Sequence, residues 1–472
     1  MRTPAGLLLA ALALACGASR DAGPVKVVVA PEAVALATGQ STTFSATVTG
    51  TSDHAVIWSV DGGAIDATGR YTAPGTPGSF TVTATSTADA SRSGRALVLV
   101  NAGGACLASG LLASLGKSDL LVGLSGADAS AAAAAWDLRY VYLAGVVKDP
   151  AGACTGPGYS AWWGCWQDLS QPPGQYVTGF VSAAAARGQV PMFTYYVLLP
   201  ASGAPEGAGE VAAAKDVSFM ATYLRDWRFL LQRVGTSKAL LHVEPDLWGY
   251  AEQANADPHQ VPAAVATANP TDCAGQENSF AGLGRCMIAM VRTYAPNAMV
   301  GLHASAWGTK IDVLGNTNAS FDVEAEGRKL GVWLAAAGAD VSDFVVADQS
   351  DRDAGYYASL GRDTWWDATN ATLPNFHQAL AWANAVAGAV GRPILWWQVP
   401  VGNLNQANTT SHWQDNRVQY FFDHPAEYAA SGAVGIAFGA GADGQTVPET
   451  DGGYLVSRAK AYLDAGGTPA CP

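Results

Sequence analysis

Charged side chains are scarce in this sequence, at 14% of 472 residues, where about a quarter is usual. Positive charge is the scarcer sign: 26 Lys plus Arg face 39 Asp plus Glu, for a formal net charge of −13. A chain so poor in Lys and Arg has no footprint for a phosphate backbone, which excludes nucleic acid as a partner. No two cysteines stand in the C-x-x-C spacing of a zinc site. No G-x-S-x-G elbow marks a serine hydrolase. Long apolar runs are missing too. The first such stretch, "LLLAALALA", is too short to span a bilayer. Aromatic rings, by contrast, are plentiful, with 15 Trp and 16 Tyr.

Residues 1–15 have the pattern of an export signal: Arg2, then the short apolar run, then "ALA" before Cys16. Cleavage after Ala15 is one outcome. The stretch also resembles a bacterial lipoprotein box with Ala13 where Leu is usual, which implies a lipidated Cys16 and a linker over 16–24. Setting Cys16 aside leaves Cys106, Cys154, Cys165, Cys273, Cys286 and Cys471, an even set suited to an oxidising compartment. Proximity pairs Cys154 with Cys165 and Cys273 with Cys286, leaving Cys106 and Cys471 to clasp the ends of one domain. The expectation is an exported protein, secreted or held at the outer membrane by a lipid anchor, and a monomer.

Two regions follow. Residues 25–101 alternate apolar and polar in short runs split by Gly, Pro, Asp and Ser turns, the pattern of a small β-sandwich. Trp58 and the turn Gly69 to Pro74 make this segment resemble the bacterial group 2 immunoglobulin-like domains, which implies a spacer or adhesive stalk. From 106 to 472 apolar runs alternate with Ala-rich helical stretches. Strands are predicted at 120–126, 139–145, 190–199, 239–246, 298–308, 343–351, 393–402 and 433–441. Helices are predicted at 209–234, 280–294, 374–391 and 414–430. Such strand–helix units specify a (β/α)₈ TIM-type barrel. A doubly wound sheet is the alternative, but no Gly-rich dinucleotide fingerprint follows the first strand.

In such barrels the chemistry sits at the C-terminal strand ends. Those ends supply Tyr195 and Tyr196; His242, Glu244 and Asp246 with Trp248 beyond; His303 and Trp307; Asp348 and Asp351; Trp396, Gln398 and Asn403. Asp415 and Arg417 open a later helix, where a plain helix start with a loop ion pair is the alternative. Strict alternation places His242, Glu244 and Asp246 on one face, toward the barrel interior. Pro245 ends the ladder, so the two acids lie at different depths, the condition that separates an acid from an ionised neighbour. Glu244 is equally readable as a structural bond acceptor. Carboxylates among aromatic rings are the apparatus of glycoside hydrolysis, with Trp and Tyr faces for sugar rings.

The stretch "LLHVEPDLWG" (240–249) resembles the E-P-D signature of glycoside hydrolase family six, and "VGLHASAWG" (300–308) and "GADVSDFVVADQSD" (338–351) are similar to its later strands. That resemblance implies Asp246 as proton donor, with Glu244 tuning it and Asp348 or Asp351 as base. The family's Arg-Asp-Cys segment after strand three has no counterpart in 195–205. Barrels that retain configuration through a strand-seven nucleophile need a carboxylate near 398, where Gln398 stands. Chitinase-type barrels show a D-x-x-D-x-D-x-E run and metal-dependent amidohydrolases an H-x-H after strand one; neither is present. The expected function is hydrolysis of a polysaccharide without a cofactor or metal. A non-catalytic glycan-binding surface protein or adhesin is the second reading.

Overall fold

The computed structural model describes residues 24–31, 33–76, 78–101, 106–166 and 168–471. The expected signal over 1–15 and Cys16 lie outside the described residues. Among those described, no helix is long and apolar enough to cross a membrane.

The N-terminal region is all-β, because its alternating segments bury every second residue; in Lys26–Ala30 these are Val27 and Val29. Its strands are β1 (Lys26–Ala30), β2 (Ala33–Ala37), β3 (Ser41–Thr43), β4 (Ser45–Thr49), β5 (Val56–Val60), β6 (Ala64–Ile65), β7 (Arg70–Thr72), β8 (Gly78–Ser86) and β9 (Ser93–Asn101). They form three small sheets, β1-β4, β2-β9-β8-β5 and β3-β7-β6, with β2 parallel to β9. One core holds Val29, Phe44, Val48, Tyr71, Val82 and Val98, with Trp58 at its margin. Strands β2 and β9 run against the helices Val323–Ala336 and Phe376–Val390 of the larger region. There Val332, Ala335, Ala336 and Ala389 form a small buried cluster of their own.

The larger region is a closed barrel of eight parallel strands in sequential order. They are β10 (Leu121–Leu124), β11 (Leu138–Leu143), β12 (Val190–Tyr195), β13 (Leu240–Val243), β14 (Met299–His303), β15 (Phe344–Asp348), β16 (Ile394–Val399) and β17 (Ala433–Phe438). Each falls within a run predicted from its apolar character or overlaps it closely, because strands covered on both faces are apolar on both. The predicted helices are present but cut by their own caps. Asp216 accepts the Phe219 amide and starts Val217–Val234 afresh after Ala208–Ala213. Pro425 likewise separates Pro425–Ala430 from Arg417–Asp423. Ser279 and Asn375 cap Phe280–Tyr294 and Phe376–Val390.

Among the described residues, three disulfides are present: Cys106–Cys471, Cys154–Cys165 and Cys273–Cys286. The first ties the entry of the barrel region to its exit.

Candidate active site

The barrel interior is polar and aromatic. Tyr140 and Tyr142 from β11, Thr194 from β12, His242 from β13, His303 from β14 and Trp397 from β16 meet there. His242 Nδ1 lies 3.2 Å from Thr194 Oγ1, and its Nε2 lies 3.1 Å from His303 Nδ1. His303 Nε2 in turn lies 3.3 Å from Asp348 Oδ1. Burial and the neighbouring His303 hold His242 well below the usual histidine range, so it is neutral. One consistent set of donors then runs from the Thr194 hydroxyl through both rings to the Asp348 carboxylate.

Above this plug a cleft of about 460 Å³ opens at the C-terminal strand ends. Its walls include Tyr142, Tyr196, Tyr250, Trp307, Trp366 and Trp397, and its polar groups include Asp246, His303, Asp348, Asp351, Gln398 and Arg417. Asp246 stands between β13 and the helix Leu247–Ala254 with φ of 70°, and its side chain makes no cap bond to that helix. Its carboxyl is therefore left for the cleft. Burial pushes it up to about 6; His303 opposes that shift, while Asp348, Glu206 and Asp351 add to it. Asp348 is anchored by His303, whereas the exposed Asp351 accepts the Tyr357 hydroxyl and pairs with Arg352 at 3.4 Å.

Alternation fails at two strand ends, and both failures reshape the site. Glu244 and Gln398 have φ of 48° and 55°, left-handed backbone that is uncommon outside glycine. At β13 the turn sends Glu244 away from His242 and out of the cleft. Its Oε1 accepts the amides of Val197 and Leu198 at 3.2 and 2.9 Å and the Tyr223 hydroxyl at 2.9 Å. Burial pushes Glu244 up to about 8 against those three donors. The expectation that Glu244 shares the face of His242 and Asp246 is thus corrected: it fastens the strand end to the surrounding helices. At β16 the register is irregular between Trp396 and Val399, and the turn brings Gln398 inward. There its Oε1 accepts the Tyr142 hydroxyl.

Several sequence candidates lie elsewhere. Tyr195 points outward and donates to Asp226 at 2.8 Å, a carboxylate that also accepts the indoles of Trp162 and Trp163. Trp248 is buried, donates to the Val243 carbonyl at 2.9 Å and packs on Phe280, so it offers no ring to a ligand. Trp396 is buried outside the barrel wall against Trp382. Asn403 is buried among His412 and the Asp451 carbonyl. Asp415 is also buried, but it holds Arg417 at 2.8 Å, and the Arg417 guanidinium lies over Trp366 in the cleft wall. His242 supports the floor without reaching the cleft surface.

The strand ends of the sequence do not point to Tyr142, Tyr250, Glu206, Asp312 or Arg362, all of which line the cleft. Tyr142 had a legible signal, since it alternates with the inward Tyr140. Glu206, Asp312 and Arg362 sit on connecting segments with no periodicity to place them, and Tyr250 lies on the short helix Leu247–Ala254. Glu210 was also missed; it is 1% exposed and raised to about 8 by burial and by Glu244, Asp246 and Glu206. Among the described residues, no group of three His, Cys, Asp or Glu side chains is arranged to hold a metal ion.

No protein-family model matches the chain, and no curated protein matches it. Among solved structures, it is similar to a modular endo-β-1,4-mannanase of glycoside hydrolase family 26 from Cellulomonas fimi. The identity is 14%, over 77% of this chain and 75% of that one, with a TM-score of 0.44. An engineered protein aligns at 13% identity over 78% of this chain and 76% of that one, TM-score 0.42. A family 5 mannosidase from Rhizomucor miehei aligns at 10% identity over 73% of this chain and 92% of that one, TM-score 0.39. All three likenesses are distant.

Proposed function

We propose that the protein is a glycoside hydrolase acting on a polysaccharide at the β13–β16 end of the barrel. The observation that carries this reading is Asp246. Its carboxyl has a value of about 6, makes no bond to its own helix, and faces a cleft walled by Tyr and Trp rings with Asp348 nearby. In hydrolysis Asp246 gives its proton to the glycosidic oxygen as the C–O bond breaks. Water adds to the anomeric carbon and loses its proton to Asp348, which His303 holds in place. Gln398 is an amide and cannot serve as a nucleophile, which favours direct attack by water and inversion. Strained backbone at Glu244, Asp246 and Gln398 supports the same location, because such strain gathers at functional sites.

The N-terminal β-module fits an immunoglobulin-like accessory unit. The three disulfides fit an exported protein, anchored through Cys16 if that residue is acylated. The deciding experiment compares wild type and Asp246→Asn on β-glucans, mannans, xylans and chitin. The expected result is turnover of one class by wild type and a loss of at least a hundredfold in the variant. Equal turnover by the two would remove Asp246 as the acid. Binding of a glycan with no turnover by wild type would establish the adhesin reading instead.

A further inference from the structure

A second cavity of about 470 Å³ lies beside the cleft, between the end of the helix Leu247–Ala254, the segment Gly308–Lys310 and the helix Val323–Ala336. Glu252, Thr309, Lys310, Lys329 and Trp333 line it. Glu252 is 9% exposed and its Oε2 has no hydrogen-bond partner. A buried carboxyl without a partner is costly, and this one lies close to the chain at Gly308, where a Cβ would stand 2.5 Å from that oxygen. The Thr309 hydroxyl is likewise buried without a partner. The indole of Trp333 is fixed by its bond to the Asn255 carbonyl at 2.9 Å.

We propose that this cavity is a second glycan site, which takes one neutral sugar unit of the polymer whose neighbouring units enter the cleft. The inference rests on reading the cleft as a glycan site. Sugar hydroxyls both donate and accept, so one ring can satisfy Glu252 and Thr309 together, with the buried Trp333 closing the wall behind them. Glu252, raised to about 8 by burial and by Glu326, supplies a hydroxyl donor at neutral pH. With Glu252 uncharged and Lys329 paired with Glu326 at 2.7 Å, the charge left at the cavity is that of the exposed Lys310. The two cavities share one loop: Trp307 faces the cleft, while Gly308 to Lys310 face the second site. Gln253 Nε2 donates to the Trp307 carbonyl at 3.1 Å and ties them together.

The test uses native gels containing β-glucan, mannan, xylan or glycol chitin, run with the full chain, with Asp246→Asn and with Glu252→Met. Methionine keeps the volume and removes the polar head. Expected is retardation of wild type and Asp246→Asn by one polymer, and an affinity at least tenfold weaker in Glu252→Met. Turnover of a short oligosaccharide that fills only the cleft stays unchanged. Equal retardation of Glu252→Met overturns this inference and leaves the proposed function standing. No retardation of wild type by any polymer, with no turnover, removes both. A crystal of Asp246→Asn soaked with a longer oligosaccharide of the same polymer, long enough to reach past the cleft, reads the site without altering Glu252: density between Glu252 and Trp333 supports it, and density in the cleft alone overturns it.

Discussion

His242 and His303 share a hydrogen bond of 3.1 Å inside the barrel, with rings stacked at 28° and Trp397 edge-on to both. The pair carries its polarity outward to Asp348, so the position of one cleft carboxylate depends on a chain that starts beneath the cleft at His242. Replacing His303 by Phe removes the last link. We expect kcat to fall about tenfold to a hundredfold, short of the loss of the base itself. His242→Gln should lower kcat less, with little change in KM. Steady-state kinetics of both variants separate this positioning role from a packing role, which would show in thermal melting with kcat retained.

The acid assignment has a pH signature. Asp246 is raised to about 6, and a general acid works only while protonated. The kcat/KM profile should therefore hold below about pH 6 and fall above it as Asp246 ionises. A basic limb centred below pH 5 would exclude this carboxyl as the acid.

Glu244 should behave as structure. Glutamine keeps the Oε1 acceptor that serves Val197, Leu198 and Tyr223, so Glu244→Gln should keep most of its activity. Glu244→Ala strands those donors and should cost about 1–3 kcal/mol or more. Because the folded carboxyl is raised from 4.5 to about 8, the folded state holds more protons than the unfolded chain between those values. Its contribution to stability is full at low pH and declines across that window as pH rises. Denaturant melts at several pH values should show a flatter profile for Glu244→Gln than for wild type.

Two tryptophans test the cleft wall against the barrel wall. Trp307→Ala should weaken oligosaccharide binding by about 1 kcal/mol, roughly fivefold, through loss of an aromatic face. Trp396→Ala should cost about 3–5 kcal/mol of stability and leave the affinity of the folded fraction alone. Calorimetric titration and thermal melting together distinguish them.

The clasp Cys106–Cys471 closes a loop of 365 residues. Replacing both cysteines by Ser should destabilise the chain by about 2–5 kcal/mol, read from denaturant unfolding. Turnover at low temperature should persist, because the bridge lies away from the residues that line the cleft.

Much of the site was legible because strands buried on both faces announce themselves as apolar runs, and the polar residues that interrupt those runs stand out. That logic located Asp246, His303 and Asp348 at the cleft. It misassigned Glu244, Trp396 and Trp248 for two physical reasons. Left-handed backbone is usually advertised by glycine, but here Glu244, Asp246 and Gln398 adopt it, and nothing in their side chains signals the turn. Tryptophan, in turn, is equally at home against a helix or beside a cleft.

Composition, periodicity and cysteine spacing by themselves pointed to an all-β segment, a parallel α/β barrel and three disulfide pairs, two between neighbours and one between the ends, because burial on a regular backbone writes a regular pattern. Tertiary structure alone decided that Glu244 turns away from the cleft and Gln398 into it. The deciding element is the pair of turns at the ends of β13 and β16, where contacts from Tyr223, Val197, Leu198 and Tyr142, distant in sequence, hold one side chain outward and draw the other in.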